Sequence, residues 1–435
     1  MPPNVANRPY RALRHRDFRR LWLASLVSVA GTQMQLVAID WHVYVLTRSP
    51  LALGLMGLVR VVPVVVFSLW GGIVADRWNR RWVTGSTQAF MAAVAVALAA
   101  VTWTGKDSVA LIYVLTAATA ATTAFDNPAR NALIPRLVPR QELPGALALN
   151  LTMFHAAMIG GPAMAGILIA GAAGTTAAAV GASTTHGLAL IYLLNAVSFV
   201  GVIGAIATLR TSGRVETDVA ASHPIEALRD GLHFVFSTPI MVWTMSLDFF
   251  ATFFAGANVL LPIFAVEILH AGPTGYGWLR SAAALGALAG SIATTLRPLP
   301  ERQGHVLLFS VAAFGAATVV FGLSRSYPVT FAALFVVGLA DLVSTVVRQT
   351  LRQVVTPDAL RGRMTSVNMV FYMGGPQLGE LEAGLVAWLF RSAALGAVVS
   401  VVSGGVFTLG VAAVVALAAP AVRRYDVREH LRGPG

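Results

Sequence analysis

Cysteine is absent from the 435 residues, which excludes disulfide frameworks, thiol nucleophiles and thiolate metal sites. Charge is scarce too: Asp, Glu, Lys and Arg make up 11% of the chain against 56% hydrophobic residues. One soluble core of this size does not use so much apolar material, so the composition excludes an ordinary globule and points to a polytopic membrane protein. Catalytic signatures are missing as well. There is no glycine loop followed by Lys-Ser/Thr, no HExxH helix and no GxSxG elbow, so ATP-driven pumping and hydrolysis have no basis in the sequence. No cofactor and no metal site is expected, and an enzyme is disfavoured.

What the chain does have is apolar stretches of about the 20 residues that a membrane-crossing helix needs. Twelve are found: Phe18–Leu46, Leu51–Ala75, Trp82–Trp103, Ser108–Phe125, Gly145–Gly171, Gly187–Leu209, Ile240–Leu269, Tyr276–Leu296, Val306–Leu323, Val329–Val347, Met364–Phe390 and Ala394–Ala419. If the N-terminus is cytoplasmic, 25 of the 31 basic residues fall on the inner side, from Arg8–Arg20 through Arg77, Arg80 and Arg81 to Arg348, Arg352, Arg361 and Arg363. The outer turns hold Arg48, Lys106, Arg325 and Arg391, and Arg60 and Arg280 fall within spans. That asymmetry is the positive-inside pattern, so both termini are expected in the cytoplasm. The net charge of +12 therefore belongs to topology and lipid headgroups, and a nucleic-acid partner is excluded.

The longest inner connection separates six spans from six. The reading is an N-terminal bundle over residues 1–209, a linker over 210–238 and a C-terminal bundle with a basic tail over 239–435. Within the linker Ile225, Leu228, Leu232 and Val235 recur at helical spacing opposite Arg229, Asp230 and His233, which predicts an amphipathic helix. The halves echo each other at an offset of 218: Arg130 with Arg348, Leu133 with Leu351, Pro139 with Pro357 and Asn150 with Asn368, followed by Gly-Gly-Pro at 160–162 and again at 374–376. Two related bundles around a central cavity suit a transporter.

The most specific motif is GGIVADRWNRR, Gly71 to Arg81. It resembles the signature between the second and third helices of the major facilitator superfamily, matching at Gly72, Asp76, Arg77, Arg80 and Arg81. Asn79 stands where that family usually has a second glycine; Asn tolerates left-handed backbone, so the turn is expected to survive. RALRHRDFRRLWLASLVS, VLTRSPLALGLMGL, PARNALIPRLVPRQELPGALALN, LLPIFAVEIL and TPDALRGRMTSVN are similar to the branch that contains the enterobactin exporter and macrolide efflux proteins. Gly161, Pro162 and Gly166 resemble the superfamily's antiporter motif, with Ala157 and Ala165 at positions usually glycine. The resemblance implies twelve helices in two six-helix bundles, alternating access, and export. In that frame Gly72, Asp76, Arg77, Arg80, Arg81, Asp126 and Arg130 form an inner latch. Asp76 would face the positive end of the helix starting near Met364 and pair with Arg130 or an arginine of the following loops, and Asp126 would pair with Arg130 four residues on.

Intramembrane acids are costly unless paired, hydrated or protonated. Asp40 in the first span has Arg60 in the next at comparable depth, an expected ion pair, and Glu267 with Arg280 repeats the pattern. Asp248 and Asp341 have no obvious partner. In LGELEAG, Glu380 and Glu382 lie about 200° apart around a helix, so at most one faces a substrate path, and Glu380 is nearer mid-depth. Glu380, Asp248, Asp341 and Asp40 are therefore the candidates for proton coupling, with a structural role for Glu380 as the competing reading. Gln33, Arg60, Asn150, His155, Phe250, Asn258, Phe371 and Gln377 are candidates for a substrate cavity. Helix–helix hydrogen bonds are the more common use of such polar side chains, and Gly286 with Gly290 reads as close packing.

The expected protein is a monomeric proton-coupled antiporter of the bacterial inner membrane. It exports a small amphiphilic molecule, drug-like or siderophore-like, and its partners are substrate, protons and lipid. Proton-symport uptake and lipid flipping on the same fold remain alternatives.

Overall fold

The computed structural model describes residues 9–173, 182–210, 224–297, 299–357 and 360–426. Their regular structure is helical. Six long helices come first: α1 (Arg16–Thr47), α2 (Pro50–Arg77), α3 (Arg80–Trp103), α4 (Val109–Asn131), α5 (Leu143–Ala173) and α6 (Ala182–Ala207). The short α7 (Pro224–Ser237) follows. Then come α8 (Pro239–Phe254), α9 (Gly272–Leu296), α10 (Gln303–Leu323), α11 (Tyr327–Val355), α12 (Arg361–Trp388) and α13 (Ala393–Ala418). Eleven helical segments among the described residues are long and apolar enough to cross a membrane. The 28-residue α12 carries Glu380 and Glu382.

Local chemistry sets the starts. Ser108 and Ser392 cap α4 and α13 by accepting from the backbone N–H three residues on. Pro50, Pro239 and Pro328 open α2, α8 and α11, where a missing N–H is harmless. Asn79 works differently from expectation. Its backbone is extended (φ −62°, ψ 112°), and its side chain caps α3 by accepting from the Arg81 N–H. The turn after α2 thus needs an N-cap, which Asn supplies and glycine lacks.

Two boundaries differ from the sequence reading. The expected span Ile240–Leu269 stops as an α-helix at Phe254, then continues as a 3₁₀ turn (Ala257–Leu260), a short α turn (Leu261–Ile263) and a π turn (Phe264–Ile268). Gly256 lies at the break, its Cα against the backbone of Gly379. Conversely, α11 runs on to Val355, so Arg348 and Arg352, counted above with an inner loop, belong to the helix.

The chain divides into two compact units. The first comprises Met1–Thr47, Val59–Val219 and Gly272–Gly277; the second comprises Arg48–Leu58, Ala220–Ala271 and Trp278–Gly435. Unit 1 is built around Phe18, Leu21, Leu137 and Ile206, with a second cluster of Met91, Ala95 and Phe199 joining α3 to α6. Unit 2 packs Leu247, Leu307, Val347 and Val415 together, and a neighbouring cluster takes in Val235, Met241, Met364 and Tyr425. Val235 is the buried side of α7, whose Arg229 and His233 are exposed, as the spacing predicts. The first part of the linker lies outside the described residues. Large apolar side chains such as Val200, Phe309 and Leu417 are exposed along the helices, the surface that a lipid solvent permits.

Candidate functional site

Residues 341, 344 and 348 recur at helical spacing, so Asp341, Ser344 and Arg348 share one face of α11. Opposite them on α8 stands Asp248. Arg348 Nη2 lies 2.8 Å from Asp248 Oδ1 and 3.8 Å from Asp341 Oδ1. The same guanidinium donates to Ser344 Oγ at 2.6 Å and to Thr345 Oγ1 at 2.9 Å. Arg348 and Asp248 are buried, whereas the Asp341 side chain is 48% exposed. One turn further along, Arg352 donates to Asn368 Oδ1 and lies within electrostatic reach of Asp248.

The sequence reading left both aspartates without a partner because Arg348 was placed in a loop. The structure corrects this: one arginine holds both. Asp341, Ser344 and Arg348 also line a small pocket, with Ala251, Thr252, Val311 and Phe314 as its remaining walls. Arg348 Nε is buried with no hydrogen-bond partner among the described residues. The pocket thus offers an accessible carboxylate, and its arginine keeps a donor in reserve.

Glu380 lies elsewhere in unit 2, buried where α12 meets other backbones closely. Its N–H borders Gly256, and its Cβ borders Gly57 of α2. Glu382 is partly buried, and its Oε2 has no hydrogen-bond partner among the described residues. Gln377 is also partly buried with an unpartnered Oε1. Phe250 is 43% exposed, stacked on Phe254 and edge-on to Phe249. Asn258 is exposed, and its carbonyl accepts from Arg280 at 3.5 Å. The side chain of Phe371 lies outside the described ones.

In unit 1 the Asp40–Arg60 pair forms, with Asp40 fully buried. Asp126 pairs with Arg130 at 3.4 Å and accepts from Thr87 Oγ1 at 2.9 Å and Gln88 Nε2 at 3.1 Å. Arg80 donates to the Ala132 carbonyl at the end of α4, and Arg81 to the Ile206 carbonyl at the end of α6. Both place positive charge at a helix C-terminus. Arg77 is exposed, and the Asp76 side chain is outside the described ones, so its expected pairing lies outside them too. Gly71 makes the close approach in this motif, its Cα facing the Ala124 carbonyl, while the matched Gly72 faces open space.

Gly161 packs against Gln33 of α1, and Gly166 against Gly277, while Pro162 sits inside α5. Gln33, Asn150 and His155 are partly buried, the last beside Phe154. Gln35 and Asn195 bond across α1 and α6 at 2.8 Å, the helix-to-helix use expected of such residues. One grouping escaped the sequence reading: His42 bonds to both Asp107 and Tyr192. The available signal was a histidine two residues from Asp40, at the depth of the turn that holds Asp107.

With this helical architecture in place, the family model described as transmembrane secretion effector matches residues 7–432. The chain belongs to this family, within the major facilitator superfamily. Among curated proteins, the enterobactin exporter EntS of Citrobacter koseri is 24% identical over 370 residues, 85% of each chain. The multidrug efflux pump Tap of Mycolicibacterium fortuitum is 26% identical over 418 residues, 93% of this chain and 96% of Tap. Among solved structures, an inward-facing bacterial homologue of the human lysosomal transporter Spinster shares the fold with a TM-score of 0.70 at 14% identity, over 98% of both chains. A bacterial homologue of the iron transporter ferroportin gives 0.66 at 17% identity, over 91% of this chain and 98% of its own. The protein is a multi-pass membrane transporter, not an enzyme.

Proposed function

We propose that this secretion effector is a proton-coupled exporter of small amphiphilic molecules. It has twelve spans, both termini are cytoplasmic, and it works by alternating access in a bacterial inner membrane. The observation that carries the coupling is Asp341: a half-exposed carboxylate on the arginine that also holds Asp248, at the edge of a pocket. Export is supported by what EntS and Tap are named for.

The chemistry follows from charge. With both aspartates ionised, Arg348 is shared between two acids and Arg352 adds a second positive charge nearby. A proton on Asp341 removes one negative charge and leaves Arg348 to Asp248. A cationic or hydrogen-bonding group of a substrate in the pocket competes with that proton for the same oxygens. Competition of this kind makes an antiporter: outside, the proton displaces the substrate; inside, the substrate displaces the proton. A proton moving inward gains about 2.3 kcal/mol per 100 mV and about 1.4 kcal/mol per pH unit.

The test is Asp341→Asn in proteoliposomes with an imposed pH gradient. Gradient-driven substrate movement is expected to collapse towards equilibration, and whatever substrate binding remains is expected to lose its pH dependence. A variant that keeps wild-type gradient-driven accumulation would move the coupling away from Asp341.

A further inference from the structure

Near the end of α1 opposite the N-terminus, three elements of unit 1 converge on one imidazole. His42 Nε2 lies 2.6 Å from Asp107 Oδ2 in the turn between α3 and α4, and His42 Nδ1 lies 3.1 Å from the hydroxyl of Tyr192 on α6. His42 and Tyr192 are buried, and the Asp107 side chain is only 8% exposed. The other charged groups nearby are Asp40, within electrostatic reach of Tyr192 and bound to Arg60 of α2, and Lys106, exposed beside Asp107. His186, six residues before Tyr192 on α6, is exposed against Trp103.

Both ring nitrogens are engaged, and the chemistry of the partners makes the arrangement reversible. An ionised carboxylate only accepts, so Nε2 carries the hydrogen towards Asp107; this leaves Nδ1 to accept from the Tyr192 hydroxyl. A phenol oxygen also accepts. If Nδ1 gains a proton, the N–H donates to the same oxygen after the hydroxyl hydrogen rotates away. Neither contact to the ring is lost in the charged form, and the charged ring meets a carboxylate at short distance. A structural staple needs one fixed pattern; this site supports two.

We propose that His42, with Asp107 and Tyr192, is a second proton-binding site of this transporter, separate from the Asp341 pocket, and that its occupancy sets the pH dependence of transport. The transport role rests on the exporter reading above. With cytoplasmic termini this end faces outside, where protons arrive, and histidine is the side chain whose charge changes between about pH 5 and 8.

The experiment is histidine-labelled NMR of the full-length protein in nanodiscs, paired with export measured from pH 5 to 8. The imidazole signal missing in His42→Gln is expected to titrate within that range, Asp107→Asn is expected to change its midpoint, and His42→Gln is expected to flatten the pH profile of export. A signal that does not titrate would overturn the site. So would a titrating signal in wild type combined with an unaltered export profile in His42→Gln. If His42→Gln does not fold, Tyr192→Phe gives the second reading: it keeps the ring, removes the hydroxyl and is expected to move the midpoint. An export activity indifferent to uncouplers would sink the proton-coupled reading above and not this site, because the resonance is read without transport.

Discussion

At Asp40 the membrane interior sets terms that water does not. The carboxylate is fully buried, and Arg60 of α2 is its charged partner. Removing one member of such a pair leaves an uncompensated charge, which costs about 3–5 kcal/mol, whereas removing both is far milder. Asp40→Ala is therefore expected to lower thermal stability in detergent sharply, and Asp40→Ala with Arg60→Ala to recover much of the loss; additive losses would mean that the two charges do not depend on each other. This pair was legible in the sequence because α1 and α2 are joined by a two-residue turn, so depth can be counted from it. The Arg348 cluster was not. Asp248 and Asp341 come from helices far apart in sequence, and Arg348 itself read as a loop residue until α11 proved longer than its apolar stretch. His42 was missed for a similar reason: its partners arrive from a turn and from α6, and no periodicity links them.

Among the elements, small residues decide which helices touch. A Cβ built on Gly286 of α9 would lie 1.8 Å from the Phe335 carbonyl oxygen, and one on Gly338 of α11 would lie 1.8 Å from the Ala283 carbonyl oxygen. These backbones meet with no room for a side chain, and overpacking there costs about 1–3 kcal/mol or separates the helices. Gly286→Val is expected to reduce folded yield and melting temperature, with Gly201→Ala, where nothing lies within 4 Å, as the neutral control. Equal melting temperatures for the two variants would contradict the packing. The sequence reading anticipated contact at Gly286 and Gly290, since small residues four apart mark a close face. The α2 motif is matched at Gly72, yet the close contact is made by Gly71, because a motif records residue types and not the rotation of a helix. The break after Phe254 was hidden for another reason: apolar residues continue through the 3₁₀ and π turns, and hydropathy does not distinguish those from an α-helix.

For the whole molecule, the two units carry their charges differently. Arg130 and Arg348 correspond under the 218-residue offset, yet Arg130 closes a pair with Asp126 that Thr87 and Gln88 also satisfy, while Arg348 spans two acids beside a pocket. The corresponding arginines thus have different surroundings: a fully satisfied pair in unit 1 and a shared cation beside a pocket in unit 2. The membrane class, the superfamily and the helix order were readable from composition, charge asymmetry and the Gly71–Arg81 motif. Which acids act together was not, because that depends on packing between distant helices. The most direct measurement is accumulation of a fluorescent lipophilic cation by everted membrane vesicles acidified inside, with and without an uncoupler. Uncoupler-sensitive accumulation is expected, up to about tenfold per pH unit for each proton exchanged. Accumulation that survives the uncoupler, or gradient-driven movement out of the vesicles, would contradict proton-coupled export.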